Sequence, residues 1–190
     1  MKLYLKGHDY KYAAEQMLLT LFPRERPSYP DQPAGEGEDS LTLSLSLGER
    51  WATARAVLTW GGRHWTAAAR APTPAPGAGR VERDRVLQRV VKNAFYRAGV
   101  QALGREPPWG AMTGVRPVRL IHDKRAAGWS AEQIDRFFLQ RFDCSEQKYE
   151  MAKEIADLQE PILRLGSAPK TYSLYIGIPF CPSRCSYCSF

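Results

Sequence analysis

In the first fifty residues the spacing at which hydrophobic residues recur changes twice. Residues 2–6 alternate between apolar and polar side chains, which predicts a short strand. From Asp9 to about Phe22 the apolar residues recur at helical spacing, which predicts an amphipathic helix. Leucine then occupies every second position from Leu41 to Leu47, a pattern typical of a strand with one solvated face.

Two further strands are predicted after the leucine strand. Residues 51–60 and 64–71 have strand patterns, and Gly61-Gly62 between them predicts a hairpin turn. Taken with the preceding elements, this predicts a small α+β domain over residues 1–71. We expect one helix to pack on an antiparallel sheet.

A proline- and glycine-rich segment, residues 72–79, predicts a semi-rigid linker. Beyond it, residues 80–170 are predicted to be helical. Apolar residues from Val86 to Ala98 form one stripe at helical spacing. Pro117 suits the first turn of a short helix that runs to about Ala127, because proline is well tolerated at that position.

Capping signals predict the last two helices. Ser130 and Gln133 form a capping box at the start of a helix that carries several phenylalanines. Asp143 and Glu146 predict a similar box at the start of a longer helix. Pro161 is expected to kink or shorten the last turn of that helix.

The last segment, residues 171–190, combines a predicted strand with a cysteine-rich loop. Residues 171–178 include β-branched and aromatic side chains, which predicts a strand with a buried apolar face. The loop follows this strand directly, and α/β architectures usually place their chemistry at the carboxyl ends of strands.

Composition and charge exclude several classes of protein. The 190-residue chain carries a net charge of +7, but its basic residues are spread along the chain and interleaved with acids, so we do not expect a nucleic-acid partner. No apolar run is long enough to span a bilayer. The N-terminus lacks the apolar core of a secretory signal. The composition therefore predicts a cytoplasmic protein with no membrane partner.

Three of the four cysteines, Cys181, Cys185 and Cys188, lie within eight residues. Their C-x3-C-x2-C spacing differs from zinc knuckles and from the four-cysteine run of bacterial ferredoxins. Three thiolates can bind three irons of a four-iron cluster and leave the fourth iron open, as in catalytic metal sites. A zinc site is the lesser alternative, because the three histidines are remote in sequence. Cys144 stands alone and is interpreted as a structural thiol.

The cysteine spacing resembles that of the radical S-adenosylmethionine enzymes. The segment YIGIPFCPSRCSYCSF is similar to the corresponding segment of oxygen-independent coproporphyrinogen III oxidases and their haem-chaperone relatives. With KGHDYKY near the start, PPWGAMTGVRP in the middle and SLYIGIPFC at the end, the chain resembles the HemZ-type coproporphyrinogen dehydrogenases over nearly its whole length.

This resemblance implies a role for five residues. Cys181, Cys185 and Cys188 would ligate a [4Fe–4S] cluster, and Tyr175 and Tyr187 would contact S-adenosylmethionine. The family uses these cofactors to convert propionate side chains of a porphyrinogen into vinyl groups. An electron donor such as flavodoxin or ferredoxin is implied as a partner. The catalytic residues that contact the porphyrinogen are not implied by the motif.

Two departures from the family pattern leave the substrate open. Gly177 stands where many relatives carry a histidine, and Phe190 stands where the best-studied oxidases carry a further cysteine. A haem chaperone or a radical S-adenosylmethionine protein with another substrate is the alternative. A third interpretation is that the N-terminal and helical regions form a binding or regulatory module.

The resemblance also predicts how this chain relates to a complete enzyme. The sequence stops at Phe190, directly after the cysteine loop. We therefore expect the N-terminal part of a longer protein, which ends with the first strand and cluster loop of an incomplete (β/α) barrel. On that expectation the isolated chain is inactive.

Overall fold

The computed structural model describes residues 1–167, 170–172, 174–178, 180–186 and 188. Its helices and strands, in chain order, are β1 (Lys2–Lys6), α1 (Lys11–Leu21), β2 (Ser40–Leu47), β3 (Trp51–Trp60), β4 (Arg63–Pro72), α2 (Arg80–Leu103), α3 (Pro117–Ala126), α4 (Ala131–Leu139) and α5 (Glu146–Gly166). The fold is α+β, as the sequence predicts.

The sheet has the order β1-β2-β3-β4 and is mixed. β2, β3 and β4 form an antiparallel meander, whereas β1 pairs with β2 in parallel. The prediction of a wholly antiparallel sheet was therefore wrong for its first strand. The reason is the connection: α1 carries the chain back along the sheet, so that β1 and β2 run in the same direction.

The predicted hairpin turn is confirmed. Trp60 pairs with Arg63, and only Gly61 and Gly62 lie between them. Both glycines have positive φ values, 56° and 74°. A two-residue turn of this hand matches the right-handed twist of the strands it joins, and glycine adopts it at little cost.

The first hydrophobic core lies between the sheet and the helices α1 and α2. Leucines of β2 and alanines of β3 and β4 cover the buried face of the sheet, and the small alanines let the helices approach closely. Gly99 of α2 touches α1, since a Cβ there would lie 2.6 Å from Leu21 Cδ1. α2 thus packs on the sheet although it follows the 72–79 segment.

A second core joins α3, α4 and α5. Phe138 is its most deeply buried aromatic residue, and its ring stacks on Tyr149 of α5 at a centroid distance of 5.0 Å. The predicted capping box of α4 is confirmed: the Gln133 N–H donates to Ser130 Oγ at 3.3 Å, and the Ser130 N–H donates to Gln133 Oε1 at 2.8 Å. α3 begins at Pro117, also as predicted.

The predicted cap of α5 was wrong. Ser145, not Asp143, caps this helix, and its Oγ accepts a hydrogen bond from the Lys148 N–H at 3.3 Å. Asp143 has a φ of 52° and directs its carboxylate toward Arg97 at 3.7 Å, so it does not occupy the capping position. Pro161 lies inside α5, which continues to Gly166.

The predicted strand over residues 171–178 was also wrong for the residues that the structure describes. No described residue there pairs with any of the four strands. The side chains of Tyr172, Leu174, Tyr175, Ile176 and Ile178 are 75–92% exposed. A strand forms only where a neighbour pairs with its backbone and its apolar face is covered, and neither condition holds here. The start of a barrel is therefore not confirmed.

Candidate functional site

The cysteine loop lies at the surface. Cys181 and Cys185 are exposed and Cys188 is half-buried, and all three are free thiols. The Cys188 N–H donates to the Cys185 carbonyl at 3.0 Å, which closes a tight turn between the second and third cysteines. Across the described residues the thiols are not drawn together into a group that could hold a metal ion.

An open cleft of about 730 Å³ lies beside this loop. Its lining includes two of the three cysteines, Cys181 and Cys188, together with Arg184, Tyr175 and Phe180. Arg184 Nη2 donates to the Cys188 carbonyl at 3.4 Å, so its guanidinium lies close to the third cysteine. The cleft thus places thiols, one cation and aromatic rings around one volume.

The two tyrosines predicted to contact S-adenosylmethionine differ in what the structure shows. Tyr175 lines the cleft with its side chain 92% exposed to solvent. Gly177 is close to the same ring, since a Cβ there would lie 3.4 Å from Tyr175 Cε1. Tyr187 and Phe190 lie outside the described residues.

Cys144 is separate from the candidate site. It is 5% exposed within the second core, and its Sγ donates to the Pro108 carbonyl at 3.7 Å. Burial raises the pKa of its thiol to about 11, which favours the protonated, unreactive form. These observations agree with the interpretation of Cys144 as a structural thiol.

Two other residues, an arginine and a histidine with side chains that could bind a ligand, lie on or beside helices. Arg116 is exposed at the N-cap position of α3. His122 is half-buried between α3 and α5, where its ring nitrogens lie 3.3 Å from Gln159 Oε1 and 3.5 Å from Glu160 Oε2. Both contacts join helices, so His122 has a structural explanation.

Sequence reasoning missed a second candidate site, a cleft rich in arginine. It is lined by side chains from β4, α2, α4 and the segments on either side of α4. Four arginines reach it from positions 70, 97, 136 and 141. Their wide separation in sequence explains why no local motif indicated the site.

Comparison with known proteins links the chain to one curated relative. It is 39% identical over 88 residues to the oxygen-independent coproporphyrinogen-III oxidase-like protein HemZ of Bacillus subtilis (strain 168). The match covers 43% of this chain and 17% of HemZ, so it spans a small part of that relative's length. It confirms the predicted resemblance to HemZ-type proteins.

The other comparisons found nothing: no family model matches the chain, and no solved structure does. Among the described helices, none combines the length and the apolar character required to cross a membrane.

Proposed function

We propose that this sequence belongs to a radical S-adenosylmethionine enzyme that converts the propionate side chains of coproporphyrinogen III into vinyl groups. The observation that carries the proposal is the triplet of free thiols at Cys181, Cys185 and Cys188, which lies beside an open cleft. Similarity to HemZ supports a coproporphyrinogen oxidase-like protein in general. The substrate itself is part of the proposal.

The donor set fits an iron–sulfur cluster. Thiolates are the usual protein ligands of such clusters, and these thiols are free, near one another in sequence and reachable from solvent. Cys181, Cys185 and Cys188 would hold a [4Fe–4S] cluster and leave one iron for S-adenosylmethionine. When bound and reduced by a donor such as flavodoxin or ferredoxin, these cofactors supply the radical that removes a hydrogen atom from the substrate.

The chain's own residues would bind and orient the second cofactor. Tyr175 offers an aromatic face on the wall of the cleft, suited to stacking against an adenine ring. Arg184 supplies a guanidinium that would pair with a carboxylate of an amino-acid-like ligand. The Tyr187 ring would contact the same cofactor.

The ligand assignment is tested by anaerobic reconstitution of the chain with iron and sulfide. We expect about four irons per chain and a sulfur-to-iron charge-transfer absorption. Substituting all three of Cys181, Cys185 and Cys188 by Ser should abolish iron binding. Cys144→Ser is the matched control and should retain it, since that thiol is buried elsewhere. Equal iron in both variants, or preferential binding of zinc, would contradict the assignment.

The substrate requires a separate assay. A protein of full HemZ length that contains this sequence is incubated with reductant, S-adenosylmethionine and coproporphyrinogen III. We expect release of carbon dioxide and formation of 5′-deoxyadenosine in the same sample. Stable binding of haem without either product would instead identify a haem chaperone, and 5′-deoxyadenosine without decarboxylation would indicate another substrate.

A further inference from the structure

The arginine-rich cleft is a concave site of about 370 Å³. The described residues that line it include Arg70, Arg97, Arg136 and Arg141, and no carboxylate is among them. Arg97 has a partner outside the cleft, because it lies 3.7 Å from Asp143. The described lining therefore carries four guanidinium groups, of which one already has an acidic partner outside the cleft.

Further cations lie near Arg141, outside the lining of the cleft. Arg89, Lys92 and Lys124 are half-buried, and within the described ranges none of them, nor Arg141, has a carboxylate within 4.0 Å. Burial, with a contribution from Arg141, lowers the pKa of Arg89 to about 10. Burial also lowers the pKa of Lys124, with smaller contributions from Arg141 and Arg89. Clustered, partly dehydrated cations are unfavourable unless an anion joins them.

Two packed aromatic rings, with cations placed against them, lie on one side of the cleft. Trp129 and Phe137 both line it and meet edge to face at 5.5 Å. Lys124 Nζ lies 4.0 Å from the Trp129 ring centroid, and Arg141 Cζ lies 5.9 Å from that of Phe137. Lys124 and Arg141 are thus held against rings instead of against acids.

A buried amide holds the position of Arg141. Asn93 of α2 is 8% exposed, and its Nδ2 donates to the Arg141 carbonyl at 2.9 Å. The Asn93 side chain also lines the cleft, and its buried Oδ1 has no hydrogen-bond partner among the described residues. A nine-tenths-buried amide oxygen without a partner is unusual in a native structure. Because it only accepts hydrogen bonds, it calls for an N–H or O–H donor, such as a hydroxyl group of a ligand, whereas the anionic groups of a ligand would pair with the arginines.

We propose that this cleft binds a small aromatic molecule that carries at least two anionic groups, carboxylates or phosphates. Guanidinium forks bind both groups through paired hydrogen bonds, and the half-buried ring of Trp129 offers an aromatic surface to a flat ligand. A nucleic acid is less well matched, because its phosphates would require a cationic stripe longer than this pocket. The cleft shares no described lining residue with the cysteine-loop cleft, so this proposal does not rest on the proposed enzyme activity.

The test uses three small probes and a single-stranded oligonucleotide, each titrated calorimetrically into the 190-residue chain at low salt. Benzene-1,2,4,5-tetracarboxylate supplies an aromatic polycarboxylate, butane-1,2,3,4-tetracarboxylate an aliphatic one, and inorganic pyrophosphate the phosphate chemistry. We expect the aromatic probe to bind more tightly than the aliphatic one. Equal affinity for these two probes would overturn the aromatic part of the proposal. Binding of pyrophosphate tighter than both would assign phosphate as the preferred group.

Arginine variants test whether the aromatic probe binds in this cleft. Arg136→Ala and Arg141→Ala should each lower the affinity for the aromatic probe roughly tenfold to a hundredfold, the usual range for loss of a charged hydrogen bond. Arg136 is exposed, so its variant is expected to fold normally. Arg24→Ala is the matched control, since Arg24 is an exposed arginine after the end of α1 and is not among the described residues that line the cleft. Unchanged affinity in both cleft variants, or binding of a single-stranded oligonucleotide alone, would overturn the proposal.

Discussion

Gly110 should be among the positions least tolerant of a side chain. Its φ is 58°, and a Cβ built on it would overlap the carbonyl oxygens of Phe142 and Asp143. The neighbouring Ala111 N–H donates to the Phe142 carbonyl at 2.7 Å, so the two backbone segments are in direct contact. This contact holds the loop before α3 against the segment that carries Arg141 and Cys144.

The matched control is Gly114, which has a similar φ of 64°, but a Cβ there would meet no described atom within 4 Å. Gly114→Ala should therefore change stability only through its backbone conformation. The left-handed conformation lowers the free energy of unfolding by about 1–2 kcal/mol for alanine. The reduced freedom of the unfolded chain offsets about 0.4–1 kcal/mol of that loss. Gly110→Ala carries both effects and must also displace backbone atoms. We expect it to cost about 1–3 kcal/mol more than the control, the usual range for overpacking.

Urea unfolding of both variants, followed by circular dichroism and tryptophan fluorescence, measures this difference. The dependence of the unfolding free energy on urea should stay the same, so that the midpoints report stability. A free energy of unfolding for Gly110→Ala within about 0.5 kcal/mol of that for Gly114→Ala, the size of an ordinary surface effect, would refute the reasoning. It would mean that the Phe142 segment moves freely away from Gly110.

Other predictions concern local features. Ser130→Ala should lower the free energy of unfolding by about 1 kcal/mol in urea, because it removes the cap of α4; an unchanged midpoint would contradict this. In the folded chain a thiol reagent such as DTNB should modify Cys181, Cys185 and Cys188 but not the buried Cys144, and rapid modification of four thiols would be the contrary result. Stability should also fall as pH rises from about 9 to about 11, since the unfolded Cys144 thiol loses its proton before the folded one. Cys144→Ala should lose that part of the pH dependence, and an identical slope in both proteins would contradict the assignment.

Local patterns were predictable from the sequence. The leucine alternation of β2, the Gly61-Gly62 turn and the Ser130 capping box each depend on residues within a few positions of one another. The spacing of the cysteine triplet is equally local. Its interpretation as a ligand set stays a prediction, because the described residues do not gather the three thiols.

Features set by distant contacts were not predictable. The parallel pairing of β1 depends on where α1 returns the chain, and the capping role of Asp143 is lost to its contact with Arg97. Strand propensity over residues 171–178 likewise did not yield a strand among the described residues of that range, which have no neighbouring strand to pair with. The arginine-rich cleft follows the same logic, because residues 70, 97, 136 and 141 converge only after α2 and α4 have packed.

A substitution in one candidate site should not affect binding at the other. The arginine-rich cleft is built on elements of the two hydrophobic cores, whereas the described part of the cysteine loop follows α5, and no described residue lines both clefts. Arg136→Ala should therefore lower the affinity for the aromatic tetracarboxylate and leave the iron content after reconstitution unchanged. The triple substitution of Cys181, Cys185 and Cys188 by Ser should do the reverse. If either variant lowers both quantities while circular dichroism shows an intact fold, the sites are coupled, and the cysteine loop then contributes to the anion site.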